Sequence, residues 1–306
     1  MDKLQKKFDE IAEKAWSLRK DGEYEEAIKL IMPFADKGLP IAQHCIATFY
    51  YYGEGVNEDF YKASEWLQKA ADQEFSESLC MLGHQKLYGV GIPSDISQAI
   101  DLLVRAVNKC NGYACYLLGK HYQFDGIKCD YFRASGYYVM GINLDNKDCM
   151  RARADMHFSA KEYREALNLY VKASELGCVK STFNAATMFE KGLGYETDLK
   201  LAFLLYKSAS ESGDFMAMHN LGTFYYSGKY VEKDKEKAFN CYLKAANEGV
   251  ALSQHCIGLM YLNGDICQDL DVSLAWFNKA LERGCRDSEQ YINEIKLIKN
   301  RDFIEH

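Results

Sequence analysis

Small and apolar residues recur along the chain at offsets of three, four and seven, which is one face of an α-helix. The stripes come in two alternating kinds. The first is a small residue, a Leu-like residue four on followed by Gly or Ala, and an aromatic three further. It reads Ala42…Ile46-Ala47…Tyr50, Ala114…Leu118-Gly119…Tyr122, Ala217…Leu221-Gly222…Tyr225 and Ser253…Ile257-Gly258…Tyr261. Weaker copies begin at Ser78, Met150, Ser181 and Ser288. The second kind opens on Asp, as in Asp59…Ala63…Trp66…Lys69-Ala70, Asp95…Ala99…Leu102…Arg105-Ala106 and Asp234…Ala238…Cys241…Lys244-Ala245.

The first stripe starts at 42, 78, 114, 150, 181, 217, 253 and 288, steps of 36, 36, 36, 31, 36, 36 and 35. A fixed period of this size marks a repeat architecture, each period holding two helices, A and B. Gly-x-Gly segments such as 53–55, 89–91 and 192–194 fall where helix A must stop. The Asp opening each B helix is a natural N-cap, worth ~1 kcal/mol. Small residues at the A–B contact (Gly83, Gly119, Ala63, Ala238) let the axes approach, and a bulkier residue there should cost ~1–3 kcal/mol.

Blocks such as AQHCIATFYYYGEGVNEDFYKASEWLQKAA (42–71) and AMHNLGTFYYSGKYVEKDKEKAFNCYLKAANEG (217–249) resemble Sel1-like repeats, longer-loop relatives of the tetratricopeptide repeat. Residues 11–38 and 150–177 lack the Gly-x-Gly loop and look more like plain tetratricopeptide units. The copy at 114–145 is degenerate, its loop Gly126 offset by one and Gly136 and Gly141 inside helix B. The expected fold is all-α, a right-handed αα-superhelix of about seven helix pairs and a C-terminal capping helix. Read as one array over 1–306, its units are 11–38, 42–74, 78–110, 114–145, 150–177, 181–213, 217–249 and 253–284, with the cap at 287–301. The segment 114–177 should be the weakest interface and exchange its amide hydrogens fastest.

Composition narrows the function. Of 306 residues 48% are hydrophobic and 26% charged, an ordered soluble chain, and the net charge of −7 supplies no basic footprint for nucleic acid or anionic membrane. The opening MDKLQKKFDE has no apolar h-region, and no apolar run reaches the roughly 18 residues of a membrane span, so a cytoplasmic location is expected. Eleven cysteines form no CxxC pair and sit in apolar patterns, so neither disulfides nor a structural metal is expected. No Walker, HExxH, GxSxG or EF-hand motif appears, and no cofactor or catalytic residue is expected.

By analogy with tetratricopeptide helices, five registers of helix A face a concave groove. They nominate His44, Thr48, Tyr51, Tyr52, His84, Tyr88, Tyr116, Lys120, Phe124, Phe183, His219, Tyr226 and His255 as partner-binding, with Leu87, Tyr113, Thr187, Glu190, Met216 and Leu262 in the same registers. Tyr50, Tyr122, Tyr225 and Tyr261 belong to the repeat's own consensus and should be core. The resemblance implies a non-enzymatic scaffold or adaptor that holds a protein or peptide segment. A second reading is a dedicated, immunity-type inhibitor of one partner. A third is a β-lactam-binding hydrolase of the cysteine-rich repeat type, which the cysteine spacing opposes.

Overall fold

The computed structural model describes residues 2–124 and 129–304, and among these every regular element is a helix. The first eight are α1 (Asp2–Lys20), α2 (Tyr24–Asp36), α3 (Pro40–Tyr52), α4 (Phe60–Ala71), α5 (Ser76–Tyr88), α6 (Ile96–Asn108), α7 (Gly112–Phe124) and α8 (Tyr131–Ile142). Then come α9 (Lys147–Ser159), α10 (Tyr163–Glu175), α11 (Val179–Lys191), α12 (Leu199–Glu211), α13 (Phe215–Ser227), α14 (Lys235–Asn247), α15 (Ala251–Asn263), α16 (Leu270–Glu282) and α17 (Ser288–Ile304). Odd numbers are A helices and even numbers B helices, so eight pairs precede the closing α17. The chain sorts into two compact units, Met1–Arg153 and Ala154–His306. Within each, helices pack on their chain neighbours, the αα-solenoid pattern.

The two helix kinds differ in how they are buried. In α3 seven residues of one eight-residue stretch are sealed (Ala42, Gln43, Cys45, Ile46, Ala47, Thr48, Phe49), whereas α4 seals only Ala63, Leu67, Ala70 and Ala71. α3 lies between its own B helix, α4, and the preceding one, α2, so more than one of its sides is covered. A B helix is amphipathic.

Local chemistry sets the helix ends. Asp59, Asp95, Asp198, Asp234 and Asp269 each accept a first-turn backbone N–H at 2.8–3.0 Å, as does Asp130 on α8. Asn111 and Asn146 do the same for α7 and α9. The long A–B loops end α3, α5, α11, α13 and α15 on a left-handed glycine. The second glycine of the Gly-x-Gly has a separate purpose. A Cβ on Gly194 would meet the Tyr163 carbonyl oxygen at 2.4 Å, and one on Gly91 the Phe60 ring at 2.2 Å. These loops therefore touch the start of the preceding B helix, and only a residue without a side chain fits.

The α1–α2 and α9–α10 connections are three-residue turns, in agreement with the two units that lack the Gly-x-Gly sequence. Gly126 lies outside the described residues. In α8, Gly141 packs where a Cβ would stand 2.2 Å from Cys149 Sγ, while Gly136 faces open space. The closing α17 buries Ile292 and Ile295, with Tyr291 stacked on Phe277 at 5.1 Å.

Candidate functional site

The A–B contact is filled from the B side by one large residue, the eighth after the capping Asp or Glu. It is Leu103 against Gly83, Tyr138 against Gly119, Tyr242 against Gly222 and Phe277 against Gly258. Where this residue is tyrosine its ring stays in the core and its hydroxyl reaches a side chain of the A helix. Tyr138 donates to Gln123 at 2.7 Å and Tyr170 to Asp155 at 2.5 Å. Tyr206 donates to Glu190 at 3.0 Å and lies 3.0 Å from the Thr187 hydroxyl, and Tyr242 lies 3.1 Å from that of Thr223. Burial pushes the Tyr206 and Tyr242 phenols well up, so they are neutral. The repeat spacing alone does not single out Tyr138, Tyr170, Tyr206 and Tyr242. Their signal is a Tyr where other repeats carry Leu or Phe.

Three nominated histidines proved to be links between repeats. His44 Nδ1 lies 3.0 Å from Ser78 Oγ, His219 Nδ1 2.9 Å from Ser253 Oγ and His255 Nδ1 2.9 Å from Ser288 Oγ. In each case the partner is the first small residue of the next repeat. Burial lowers all three imidazole pKa values, that of His219 to about 4. His219 is buried, as is Thr48, whose hydroxyl donates to the Cys45 carbonyl and accepts from Arg19. Leu87 is buried as well. Side chains with these contacts stabilise the stack and present little surface.

Loop residues add a second set of links. Glu54 pairs with Arg19, Lys229 with Glu190, and Asp265 with Lys235 while accepting from Tyr226 at 2.7 Å. Tyr226 is thus half-buried and tied down, with Lys233 over its ring. Phe183 packs on Tyr206 at 5.9 Å and Tyr116 accepts from Arg151 at 3.3 Å. Tyr50, Tyr122, Tyr225 and Tyr261 are half-buried, packed against ring or cation neighbours on B helices and not sealed in the core.

The nominated residues that do present surface concentrate in the first unit. Tyr52, Tyr88 and Phe124 are 60%, 45% and 67% exposed and occupy one register, the tenth after the first-stripe start, on α3, α5 and α7. Lys120 lies over the Tyr88 ring at 5.4 Å, and His84 packs on Tyr88 at 5.0 Å. Tyr51 meets Tyr52 edge-on at 5.0 Å, and the exposed Tyr113 stacks on Tyr116 at 5.8 Å. Between α3, α5 and the start of α7 lies an open cavity of about 360 Å³ walled by His44, Tyr51, Tyr52, Glu77, Met81, His84 and Tyr113. In the second unit the same tenth register holds Lys191, Ser227 and Asn263. A cavity of about 440 Å³ there is lined by Phe158, Tyr170, Phe183, Asn184, Thr187, Glu190, Tyr206 and Asn220.

The cysteines are small core residues in the main. Six are buried and two half-buried, with burial pushing the Cys45 and Cys115 thiols up to about 11. Among the described residues no group of His, Cys, Asp and Glu has the arrangement of a metal site, and no helix is long and apolar enough to cross a membrane.

A stack of helix hairpins that repeats at a fixed period is a repeat solenoid. The Sel1 repeat model matches residues 40–75, 76–109, 112–145, 159–178, 179–214, 215–250 and 251–285, and the chain belongs to the Sel1 repeat family. Proteins of this family bind protein partners and are in general non-catalytic scaffolds. The α1–α2 pair and most of α9 lie outside the matched segments.

Among solved structures, the chain is similar to c5321, a protective antigen of uropathogenic Escherichia coli with an SLR fold. The TM-score is 0.77 at 22% identity, over 89% of this chain and 60% of that one. It is also similar to a Sel1 repeat protein from Oxalobacter formigenes, with a TM-score of 0.63 at 24% identity over 76% and 96%. Both likenesses are of fold. A curated relative, the ERAD-associated E3 ubiquitin-protein ligase component HRD3 of Candida glabrata, is 35% identical over 69 residues. That match spans 22% of this chain and 8% of the relative.

Proposed function

We propose that the chain is an interaction scaffold that holds a segment of a partner protein along the A-helix face of its first unit. The observation that carries this is the aromatic row Tyr52, Tyr88 and Phe124, one residue from each of three successive repeats in one register. Large apolar rings held in water at a regular spacing mark a contact surface. Aromatic side chains give much contact area for little lost rotamer entropy. The second unit is polar in this register. The mechanism is recognition without covalent chemistry, and the eleven thiols suit a reducing compartment such as the cytoplasm.

Photo-crosslinking tests the assignment. A benzoylphenylalanine in place of Tyr88 should trap a discrete partner in the native cell. The same residue in place of Tyr61, 64% exposed on α4, should not. Equal trapping at both positions, or trapping at Tyr61 alone, would move the contact surface off the A helices.

A further inference from the structure

The first-unit cavity has a charge pattern that narrows the partner's chemistry. Its lining carries one formal charge, the Glu77 carboxylate at the start of α5. Glu77 is exposed and has no ion-pair partner among the described residues. Neither has Glu58, whose charge is felt at Tyr51. Around the carboxylate stand the rings of Tyr51, Tyr52 and Tyr113, Tyr51 and Tyr52 set edge-to-face. The two imidazoles on the wall, His44 and His84, have pKa values lowered by burial first and then by the charges of Arg19 and Lys120 respectively, so they are uncharged at neutral pH and do not themselves repel a cation. Nearby, the protein's own Lys120 already lies over the Tyr88 ring, which shows the row offering a ring face to an ammonium.

An unpaired carboxylate beside several tyrosine rings is a host for a cationic side chain. The carboxylate supplies a charge-assisted hydrogen bond, the ring faces attract the cation through their quadrupole, and the walls bury the aliphatic stem. The opening of about 360 Å³ is at the small end of ligand pockets and suits one side chain. Resting on the scaffold reading above, we infer that this cavity receives a lysine or arginine side chain of the bound segment, its charge set against Glu77 between Tyr51, Tyr52 and Tyr113. The chain's net charge of −7 adds attraction for a basic segment at longer range.

Selection from a randomised dodecapeptide library on the 306-residue chain tests this. Enriched peptides should share a Lys or Arg at one position. Replacing that Lys by norleucine, or that Arg by citrulline, should weaken binding about tenfold or more. Glu77→Gln, an exposed change that keeps the shape of the side chain, should weaken the cationic peptide by a similar factor and leave the neutral one unchanged. Enriched peptides that need Tyr52 and Tyr113 but carry no shared cation would overturn the inference while leaving the aromatic surface in place. Peptides indifferent to Tyr52, Tyr88 and Tyr113 would overturn both, whereas cationic peptides bound equally by the Glu77→Gln chain would overturn the inference alone.

Discussion

His219 Nδ1 stands 2.9 Å from the hydroxyl of Ser253, the first small residue of the following repeat, and both side chains are buried. His44–Ser78 and His255–Ser288 repeat the relationship. A residue nominated for binding is a clasp between neighbouring repeats, and its titration follows from that.

The unfolded chain takes up a proton on this imidazole near pH 6.5, whereas burial delays uptake in the folded chain to about 4. The clasp's contribution is complete above pH 6.5 and is lost as pH falls through that window, because the unfolded state then binds more protons. Urea midpoints measured from pH 7 to 4 should show the wild type losing roughly 3 kcal/mol more than His219→Gln. Parallel losses in the two chains would remove His219 as the cause.

The two glycines inside α8 should respond to alanine with opposite signs. At Gly136 a methyl meets nothing within 4 Å, so Gly136→Ala should stabilise the chain by about 0.5–1 kcal/mol through backbone entropy. At Gly141 the methyl would stand 2.2 Å from Cys149 Sγ and 3.1 Å from Cys115 Cβ, so Gly141→Ala should cost ~1–3 kcal/mol. Thermal unfolding of both variants reads the difference, and equal shifts would contradict the packing described for this helix.

Cys110 takes the left-handed conformation at φ 60°, at the position after helix B where other repeats carry Gly38, Gly177, Gly213, Gly249 and Gly284. A side chain there costs ~1–2 kcal/mol, while glycine adds about 0.4–1 kcal/mol of unfolded-state entropy. Cys110→Gly should therefore gain about 0.5–1 kcal/mol in a denaturant titration; a loss would mean that the thiol has a structural partner.

The period, the helix pairing and the Asp caps were legible because each rests on local spacing. A period-3.6 stripe, a capping side chain and a loop glycine declare themselves within one unit. The placement of individual A-helix residues was less legible, since it depends on what the next repeat sets beside them. His219 and Tyr52 are both in registers assigned to the groove, yet Ser253 takes up the first while the second stays largely in water. The hydroxyls of Tyr170 and Tyr206 were missed for a related reason. The repeat spacing does not single out either tyrosine, and only the fold brings Asp155, Thr187 and Glu190 within reach.

The aromatic row is tested most directly by the affinity of the partner trapped at position 88 for a chain carrying Tyr52→Ala, Tyr88→Ala and Phe124→Ala together. Isothermal titration should show a loss of at least ~2 kcal/mol, about thirtyfold in Kd, with an unchanged melting temperature. Undiminished affinity in a folded triple variant would contradict the account.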